Sequence, residues 1–500
     1  MKKINNLVAG IWEECDDYFT SLERKFSITS LEQAKRSVVA AQKAFLYYGN
    51  SSNKERAEFL SQILRALEQQ KSEILTAYQD ESKLPQGRAE GEFSRTLNQI
   101  QSFVDLLQDG QYVRATLHQV EGGAKIRKML QPIGPIAVFG ASNFPLAFST
   151  AGGDTISALA AGCPVILKAH PYHPMTSYLV ATAIDAAVKA CDLPKGVFSH
   201  LQSDQHLLGQ ALVEHPQLCG VGFTGSYKGG KALYDLAQQR PVPIPVFAEM
   251  GSINPMILFP GALSREDLTS QLGDSICLGS GQFCTNPGVL IALGEPQLLD
   301  EFEKSLGDYL KQKAPQEMVH ENIANQYEEK LNALENQIKL YQGEQAALGV
   351  STAKNFLQHK ILREEVFGPY TLLVRCSSLD EVEAILMTIE GQLTLSLIGT
   401  TTDQAALNKV LPLAQQKAGR ILFEGVPTGV AVTQAMMHGG PFPASTDERF
   451  SAVGIDAIYR WLRPVSYQDC PEALLPPALK QDNPLGITRN INGLMTKDSL

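Results

Sequence analysis

Cysteine is sparse in this sequence, and its spacing fits neither a disulfide framework nor a zinc site. Eight cysteines are spread over 500 residues, without a CxxC pair or a series of short spacings. Such patterns are the usual signature of disulfide-rich and zinc-binding folds. The HxxH spacing from His170 to His173 contains Pro171, which disfavours a helical face with two metal ligands. We therefore expect reduced thiols and no metal site.

The sequence also lacks a basic surplus and a run that could span a membrane. With 43 Lys and Arg against 53 Asp and Glu, the formal net charge is −10, which argues against nucleic acid or an anionic membrane as the main partner. The basic N-terminus turns acidic too early for an export signal. Between Ile133 and Leu167, Asp154 is the only charge, but frequent Gly and Pro indicate buried strands and a buried helix. We expect a cytoplasmic protein without a nucleic-acid or membrane partner.

The length and the pattern of apolar residues predict two α/β domains, because 500 residues exceed the span of one ordinary core. The first hundred residues are predicted to be helical and residues 113–130 to form a short β-ribbon. From 135 to 248 short apolar runs alternate with helical stretches, and a similar series follows from 254 to about 424. This alternation indicates doubly wound parallel sheets, which bind ligands outside the carboxyl ends of their strands. Strands are predicted at 136–139, 165–167, 197–199, 220–223 and 244–247, and helices at 31–45, 54–78, 90–108, 150–161, 175–190, 205–213 and 226–238.

Two short segments carry side chains suited to covalent catalysis. Residues 280–284 (Ser-Gly-Gln-Phe-Cys) place Cys284 in a glycine-flanked turn, where backbone N–H groups can point at an oxygen. Glu249 follows the apolar run 243–248 (Pro-Ile-Pro-Val-Phe-Ala) at a predicted strand end. A thiol nucleophile and a carboxylate base suffice for an acyl intermediate that water releases. Taken singly, a cysteine is more often a core residue and a glutamate a surface charge.

Polar loops after three predicted strands suit a nucleotide and an oxyanion. Residues 223–230 (Phe-Thr-Gly-Ser-Tyr-Lys-Gly-Gly) could form a phosphate-facing turn and helix start, although they lack GxGxxG. Lys168 lies at a strand end where a ribose or phosphate could bind, the alternative being a solvated lysine. Asn143, within Ala-Ser-Asn-Phe-Pro at 141–145, could donate a side-chain N–H to a developing oxyanion.

Together these segments resemble the aldehyde dehydrogenase family over nearly the whole chain. Six motifs stand in the family's order, at 143–145, 168, 223–226, 249–251, 281–284 and 365–369 (Glu-Val-Phe-Gly-Pro). The resemblance implies an α/β fold with a cofactor domain, a catalytic domain and a small bridging β element used in oligomerisation. On this basis we expect a homo-oligomer, dimer or tetramer. Residues 1–114 and 134–248 are assigned to cofactor binding, 249–440 to catalysis, and 115–133 with 441–500 to bridging.

The resemblance also implies a role for each motif residue. Cys284 would attack an aldehyde, and Asn143 with the Cys284 backbone N–H would hold the oxyanion. A nicotinamide cofactor would take up the hydride, and Glu249 would activate water to hydrolyse the thioester. Lys168 and Glu365 would hold the cofactor's riboses, Ser226 its pyrophosphate, and Phe367 would pack near the nicotinamide ribose. The remaining members of the implied cofactor site are Phe223, Thr224, Gly225 and Gly230.

Two motifs depart from the family's usual form. Residues 249–252 are Glu-Met-Gly-Ser in place of Glu-Leu-Gly-Gly, and Ala-Ser stands at 141–142 where many members have Pro-Trp. A subgroup resembling α-ketoglutarate semialdehyde (2,5-dioxopentanoate) dehydrogenases shares both changes, as well as segments 80–85, 427–430 and 438–443. The resemblance therefore implies oxidation of that semialdehyde to 2-oxoglutarate. A long-chain fatty aldehyde dehydrogenase using NADP is the alternative within the family. A cysteine hydrolase using His438 and a catalytically silent binding protein are the alternatives from other classes.

Cofactor preference and substrate recognition rest on single positions. Many NAD-using relatives carry a glutamate three residues after the strand-end lysine, where it would repel a 2′-phosphate; here that residue is Pro171. We therefore expect NADP to be preferred and NAD to be accepted. A substrate carboxylate would need a cation at the pocket, for which Arg95 and Arg449 are candidates.

Overall fold

The computed structural model describes residues 3–500, and its first segment is β-structure instead of the predicted helix. Two hairpins form here, one turning at Ala9-Gly10 and one at Leu22-Glu23, and all four turn residues have positive φ. Positive φ at both central residues matches the twist of paired strands. The helical prediction for the first hundred residues is therefore wrong before residue 31. The strands are β1 Lys3–Ile4, β2 Asn6–Val8, β3 Ile11–Glu13, β4 Tyr18–Ser21 and β5 Arg24–Ser27.

Four helices follow, and the first two begin at capping boxes. Ser30 and Ser52 each accept a hydrogen bond from the backbone three residues on, and the Gln or Glu at that position accepts one in return. The single helix predicted over 54–78 is two helices, because the chain leaves helical geometry at Gln70 (φ −98°, ψ 9°). The helices are α1 Leu31–Tyr48, α2 Asn53–Gln69, α3 Lys71–Ser82 and α4 Gln86–Asp109.

The first large sheet confirms the predicted alternation of strands and helices. Within residues 3–500 its strand order is β12-β11-β8-β9-β10-β2-β3, with β8 to β12 parallel. Because β9 and β11 flank β8, the winding direction reverses there, and a ligand crevice is expected outside the ends of β8 and β11. The strands are β8 Ile136–Phe139, β9 Val165–Lys168, β10 Phe198–Leu201, β11 Gly220–Thr224 and β12 Val246–Glu249, and the helices are α5 Gly153–Ala161, α6 Pro174–Ala190, α7 Leu207–Glu214 and α8 Tyr227–Gln238.

The second large sheet repeats the doubly wound plan, in the order β15-β16-β17-β14-β13-β18-β19 over the described residues. All its strand pairs are parallel except β15 with β16. The strands are β13 Met256–Leu258, β14 Val289–Leu293, β15 Lys339–Gln342, β16 Ala347–Thr352, β17 Tyr370–Cys376, β18 Gln392–Ile398 and β19 Ala418–Leu422. The helices are α9 Pro260–Leu263, α10 Leu268–Cys277, α11 Pro296–Lys311, α12 Glu321–Leu334, α13 Ala353–Gln358, α14 Leu379–Thr388 and α15 Gln404–Gln415.

A third sheet joins the predicted ribbon to the C-terminal part of the chain. Its order is β20-β7-β6-β21-β22, and β20 pairs with β7 from Leu462↔Pro132 to Gln468↔Ile126. The β-ribbon predicted at 113–130 is therefore confirmed, with its second strand extending to Pro132. The strands are β6 Thr116–Gln119, β7 Lys125–Pro132, β20 Leu462–Gln468, β21 Arg489–Ile491 and β22 Leu494–Thr496.

The long apolar stretch 133–167 forms β8, α5 and most of β9, as its glycines and prolines predicted. Every residue of β8 and α5 is buried, which explains the near absence of charge. Across residues 3–500, each helix is too short or too polar to cross a bilayer.

Candidate active site

The motifs of the two large sheets meet where the carboxyl edge of the first faces the amino edge of the second. Glu249 ends β12, and the loop containing Asn143 follows β8. Cys284 precedes β14, and Glu365 precedes β17. The second sheet therefore contributes the opposite edge from the first, and only the first follows the carboxyl-end rule.

Cys284 lies in a tight turn whose shape depends on glycine. Gly279, Ser280 and Gly281 adopt left-handed conformations with φ of 55°, 56° and 66°. A Cβ on Gly281 would lie 2.1 Å from the carbonyl oxygen of Gly368, so a side chain is excluded there. The Asn254 side-chain amide donates to the carbonyl oxygen of Cys284 at 2.7 Å. The turn is thus fixed from both sides and presents the thiol in one position.

Two other ionisable side chains, His438 and Glu249, lie next to this thiol. His438 Nε2 lies 3.6 Å from Cys284 Sγ and 2.8 Å from Glu249 Oε1. His438 and Glu249 are both buried. The contact between them falls within ion-pair distance, yet within residues 3–500 neither Glu249 oxygen accepts a hydrogen bond. The carboxylate therefore retains acceptor capacity for a water molecule or a thiol proton.

These surroundings raise the pKa of the Cys284 thiol well above its ordinary value. Burial is the largest cause, followed by the nearby negative charge of Glu249 and then by Glu365, while Arg95 acts in the opposite direction. The thiol is consequently protonated at neutral pH, and its conversion to the nucleophilic thiolate requires a nearby base. Both His438 and Glu249 are close enough to serve.

Asn143 lies beside the same turn. Its side-chain nitrogen donates to the carbonyl oxygen of Gln282 at 3.0 Å, two residues before Cys284. An amide nitrogen has two hydrogens, so one stays available for an oxygen next to Sγ. In the part of the chain that the structure describes, the Cys284 backbone N–H has no acceptor. The two donors thus have the capacity that an oxyanion hole requires.

The predicted phosphate-facing turn begins α8. Ser226 is its N-cap and accepts from the Gly229 N–H at 3.2 Å, and the first residues of the helix are exposed. An exposed helix N-terminus favours an anion. Phe223 and Thr224 end β11, and the Gly225 N–H donates to the Glu249 carbonyl at 3.0 Å. Gly230 is buried against the Met250 side chain, next to Glu249.

Lys168 ends β9 beside β8. Burial lowers the pKa of its ammonium to about 8, with only Asp204 acting in the opposite direction. Among residues 3–500 no carboxylate lies within ion-pair distance of its Nζ. A largely buried cation without a partner at a strand end fits a phosphate or ribose ligand.

Glu365 is the matching acceptor on the catalytic side of the site. Burial raises the pKa of its carboxyl group to about 7, against a hydrogen bond from the Ser252 backbone and the charge of Lys330. Glu365 and Phe367 line one pocket together with Gly281 and Phe283. An exposed helix N-terminus, an unpaired ammonium and a buried carboxylate have the chemistry of phosphate and ribose binding, so these residues fit a dinucleotide.

Comparison with known proteins gives this site its family. The aldehyde dehydrogenase family profile matches residues 23–441. The chain belongs to the aldehyde dehydrogenase family. It is 43% identical over 487 residues to alpha-ketoglutaric semialdehyde dehydrogenase 2 of Azospirillum brasilense, covering 94% of this chain and 93% of that protein. It is 40% identical to alpha-ketoglutaric semialdehyde dehydrogenase of Acinetobacter baylyi, covering 95% and 93%.

Solved structures support the same fold for this aldehyde dehydrogenase. The NAD-dependent aldehyde dehydrogenase of Sinorhizobium meliloti superposes with a TM-score of 0.80 at 19% identity, covering 94% of this chain and 96% of that one. Methylmalonate-semialdehyde dehydrogenase of Oceanimonas doudoroffii gives a TM-score of 0.79 at 18% identity, covering 94% and 99%. The predicted α/β fold is confirmed. The protein is an oxidoreductase that uses NAD(P) to oxidise an aldehyde to an acid, which sets aside the hydrolase and the silent binding protein.

For two residues, His438 and Arg449, the structure shows surroundings that differ from those expected from the sequence. The sequence suggests a role for His438 only in the hydrolase alternative, but in the structure its Nε2 atom contacts both Cys284 and Glu249. The sequence signal for His438 is segment 438–443, one of the segments shared with the subgroup resembling α-ketoglutarate semialdehyde dehydrogenases. Arg449, a candidate for binding a substrate carboxylate, pairs with Asp447 at 2.6 Å and leaves 77% of its side chain exposed. Arg449 therefore forms an ion pair at the protein surface and is no longer a candidate for binding the substrate carboxylate.

Proposed function

We propose that this aldehyde dehydrogenase oxidises α-ketoglutarate semialdehyde to 2-oxoglutarate, with NADP as its preferred cofactor. The arrangement of Glu249 and His438 around the Cys284 thiol carries the proposal, because it supplies a nucleophile and two proton acceptors in one buried site. The names of the two relatives above support the substrate. The fatty-aldehyde alternative shares the same chemistry but requires an apolar pocket.

The first step is attack of Cys284 on the aldehyde carbon. His438 accepts the thiol proton at its Nε2 atom, since that atom lies 3.6 Å from Sγ. The oxyanion formed on the substrate receives hydrogen bonds from the Asn143 side chain and the Cys284 backbone N–H. These donors stabilise charge that exists only after attack, so they lower the barrier without tightening ground-state binding.

The second half of the reaction releases the acid. Bound nicotinamide supplies the chemistry of hydride acceptance, and Lys168, Ser226 and Glu365 are the residues that would hold its dinucleotide. Glu249 then takes a proton from water, which attacks the thioester carbon while Cys284 leaves as thiolate. The unpartnered oxygens of Glu249 give that water an acceptor. A water-activating carboxylate at this place disfavours transfer of the acyl group to coenzyme A.

NADP is expected to be used at least tenfold more efficiently than NAD. Pro171 offers no carboxylate against a 2′-phosphate, and the Lys168 ammonium lacks an ion-pair partner among the described residues. The measurement is kcat/KM for both cofactors at a saturating aldehyde concentration. Pro171→Glu, which introduces the missing charge, should reduce the NADP to NAD ratio by a factor of ten or more. A tenfold preference of the wild type for NAD would contradict the proposal.

A carboxylated aldehyde is expected to be a better substrate than a neutral one of equal length. Succinic semialdehyde and α-ketoglutarate semialdehyde should exceed butanal and pentanal in kcat/KM by well over tenfold, because a charge-binding pocket left unpaired penalises the neutral analogue. The measurement is steady-state kinetics over this panel, extended to decanal and dodecanal. A higher kcat/KM for decanal and dodecanal would contradict the proposed substrate and would instead support a fatty aldehyde dehydrogenase.

We also propose the domain division given by the sequence, with a homo-oligomer assembled through the third sheet. The outermost strand of that sheet, β22, exposes Leu494 and Met495 by 74% and 64%. Apolar side chains on an exposed edge strand favour contact with another chain. In the same sheet β7 pairs with β20 and β6 with β21, so the sheet joins two distant parts of the sequence.

A further inference from the structure

Arg95 reaches the active site from α4 by way of aromatic side chains. Its guanidinium lies 5.7 Å from the centre of the Phe148 ring. The Phe148 ring in turn lies 6.0 Å from that of His438, the residue in contact with Cys284. An Arg95 N–H also donates to the carbonyl oxygen of Val430. Arg95 is therefore linked to the thiol by a short series of neighbouring side chains, Phe148 and His438.

Arg420 approaches the same segment from β19. It donates to the carbonyl oxygens of Gly429 at 3.0 Å and Pro427 at 2.7 Å. The preceding residue, Gly419, lies so close to Gly439 that an added Cβ would come within 2.2 Å of the Gly439 oxygen. Since Gly439 follows His438, the start of β19 lies beside the segment that carries His438. The two arginines thus converge on residues 427–430 (Pro-Thr-Gly-Val), a motif left without a role by the catalytic chemistry.

Among the described residues, carboxylates pair with some of the partly or fully buried arginines of this protein, but not with these two. Arg88 pairs with Glu92 at 3.6 Å and Arg460 with Asp154 at 2.7 Å, but within residues 3–500 neither Arg95 nor Arg420 has an ion-pair partner. The Nε atom of Arg95 is buried without a hydrogen-bond partner. Burial lowers the pKa of both guanidiniums; the charge of Glu92 opposes this effect on Arg95, and a thiolate at Cys284 would oppose it on both.

Two partly buried, unpaired cations are costly unless an anion joins them. A guanidinium presents N–H groups in a planar fork that matches a carboxylate, and two forks can hold one carboxylate from two sides. Segment 427–430, to which both arginines donate, is also held by a hydrogen bond of 2.6 Å between the hydroxyl groups of Thr428 and Ser275 in α10. The carbonyl groups of this segment accept hydrogen bonds from both arginines, so the two guanidiniums are held in place for an anionic group beside it.

We infer that Arg95 and Arg420 together bind the distal carboxylate of the aldehyde substrate, against the 427–430 segment. This inference rests on the proposed function and names the residues that select an acidic substrate. It replaces Arg449, which is held at the surface by Asp447, and it adds Arg420 to the Arg95 expected from the sequence.

The test measures a ratio of specificity constants. For wild type, Arg95→Gln, Arg420→Gln and the double variant, kcat/KM is determined for succinic semialdehyde and for butanal. We expect each single change to lower the charged-to-neutral ratio at least tenfold, mainly through KM for the charged substrate, and the double change to bring it near one. Arg95→Lys and Arg420→Lys keep the charge and should recover part of the ratio. Arg449→Gln is the matched control and should keep the wild-type ratio.

Each outcome separates the carboxylate role from a merely structural one. If both substrates lose efficiency by the same factor, with the ratio unchanged, the arginines only hold the 427–430 segment, and the inference is overturned while the proposed function stands. If the wild type itself shows no preference for the charged aldehyde, the proposed substrate fails first and the inference with it. Thermal denaturation of every variant identifies misfolding. If a Gln variant is misfolded, the corresponding Lys variant takes its place in the comparison. A Lys variant with an unchanged charged-to-neutral ratio of kcat/KM and an unchanged KM would also overturn the inference.

Discussion

Replacing Cys284 with alanine is expected to abolish aldehyde oxidation, lowering kcat by about 10⁴-fold or more, the scale seen when a catalytic nucleophile is removed. The alanine cannot form the thiohemiacetal, and neither Glu249 nor His438 can take its place as an attacking group. Formation of reduced nicotinamide in steady state measures the loss. Cofactor affinity should persist, because Lys168, Ser226 and Glu365 are unchanged, and calorimetric titration with NADP checks this.

Cys277 provides the matched control for that experiment. It ends α10 seven residues before Cys284, is half-buried, and burial raises the pKa of its thiol to about 11. Cys277→Ser should keep aldehyde oxidation within a few-fold of wild type. Turnover at the wild-type rate in Cys284→Ala would remove the thiol from the mechanism altogether.

Replacing Glu249 with glutamine is expected to separate the two halves of the reaction. Glutamine keeps the shape of the side chain but cannot accept a proton from water, so each active site should form about one equivalent of reduced nicotinamide and then stall. The steady-state rate should fall by about 10²-fold to 10⁴-fold, the usual contribution of a general base. Rapid mixing gives the burst amplitude, and intact-protein mass spectrometry shows the acyl group on Cys284.

The same variant should change the thiol itself. The negative charge of Glu249 raises the pKa of Cys284, so removal of that charge lowers the pKa and increases the thiolate fraction at neutral pH. Alkylation of Cys284 by iodoacetamide should then be faster than in wild type. Glu364→Gln is the control, since Glu364 pairs with Lys330 at the surface and should leave both readouts unchanged. A slow first turnover without any burst would show that Glu249 acts before the thioester forms.

The parallel sheets could be predicted from sequence because buried strands are continuous apolar runs separated by helices with a clear period. The N-terminal hairpins could not, since their turns at Ala9-Gly10 and Leu22-Glu23 lack the Asn-Gly or Asp-Gly pair that usually signals them. The interruption of the helix at Gln70 also lacks a sequence signal, because no Pro or Gly lies next to it.

The chemistry of the site was predictable where a motif combined a reactive group with its own local geometry, as at Cys284 and Glu249. His438 lies 154 residues from Cys284 in sequence, in a loop whose path depends on tertiary packing. Arg95 and Val430 are separated by 335 residues. Contacts of this kind depend on how the edges of two sheets are brought together, which no local pattern encodes. The catalytic roles and the domain boundaries remain predictions.

The close packing of segment 365–369 has a mechanical consequence. Its Gly368 oxygen leaves no room for a Cβ on Gly281, and Glu365 leaves none on Gly251, where the gap to Oε2 would be 2.2 Å. Segment 365–369 thus packs closely against both the turn that contains Cys284 and the end of the strand that contains Glu249. A side chain introduced at Gly281 would collide with the backbone at Gly368 and displace the turn that carries the thiol, whereas one at Gly251 would have to displace the end of the Glu365 side chain, a group expected to hold a ribose.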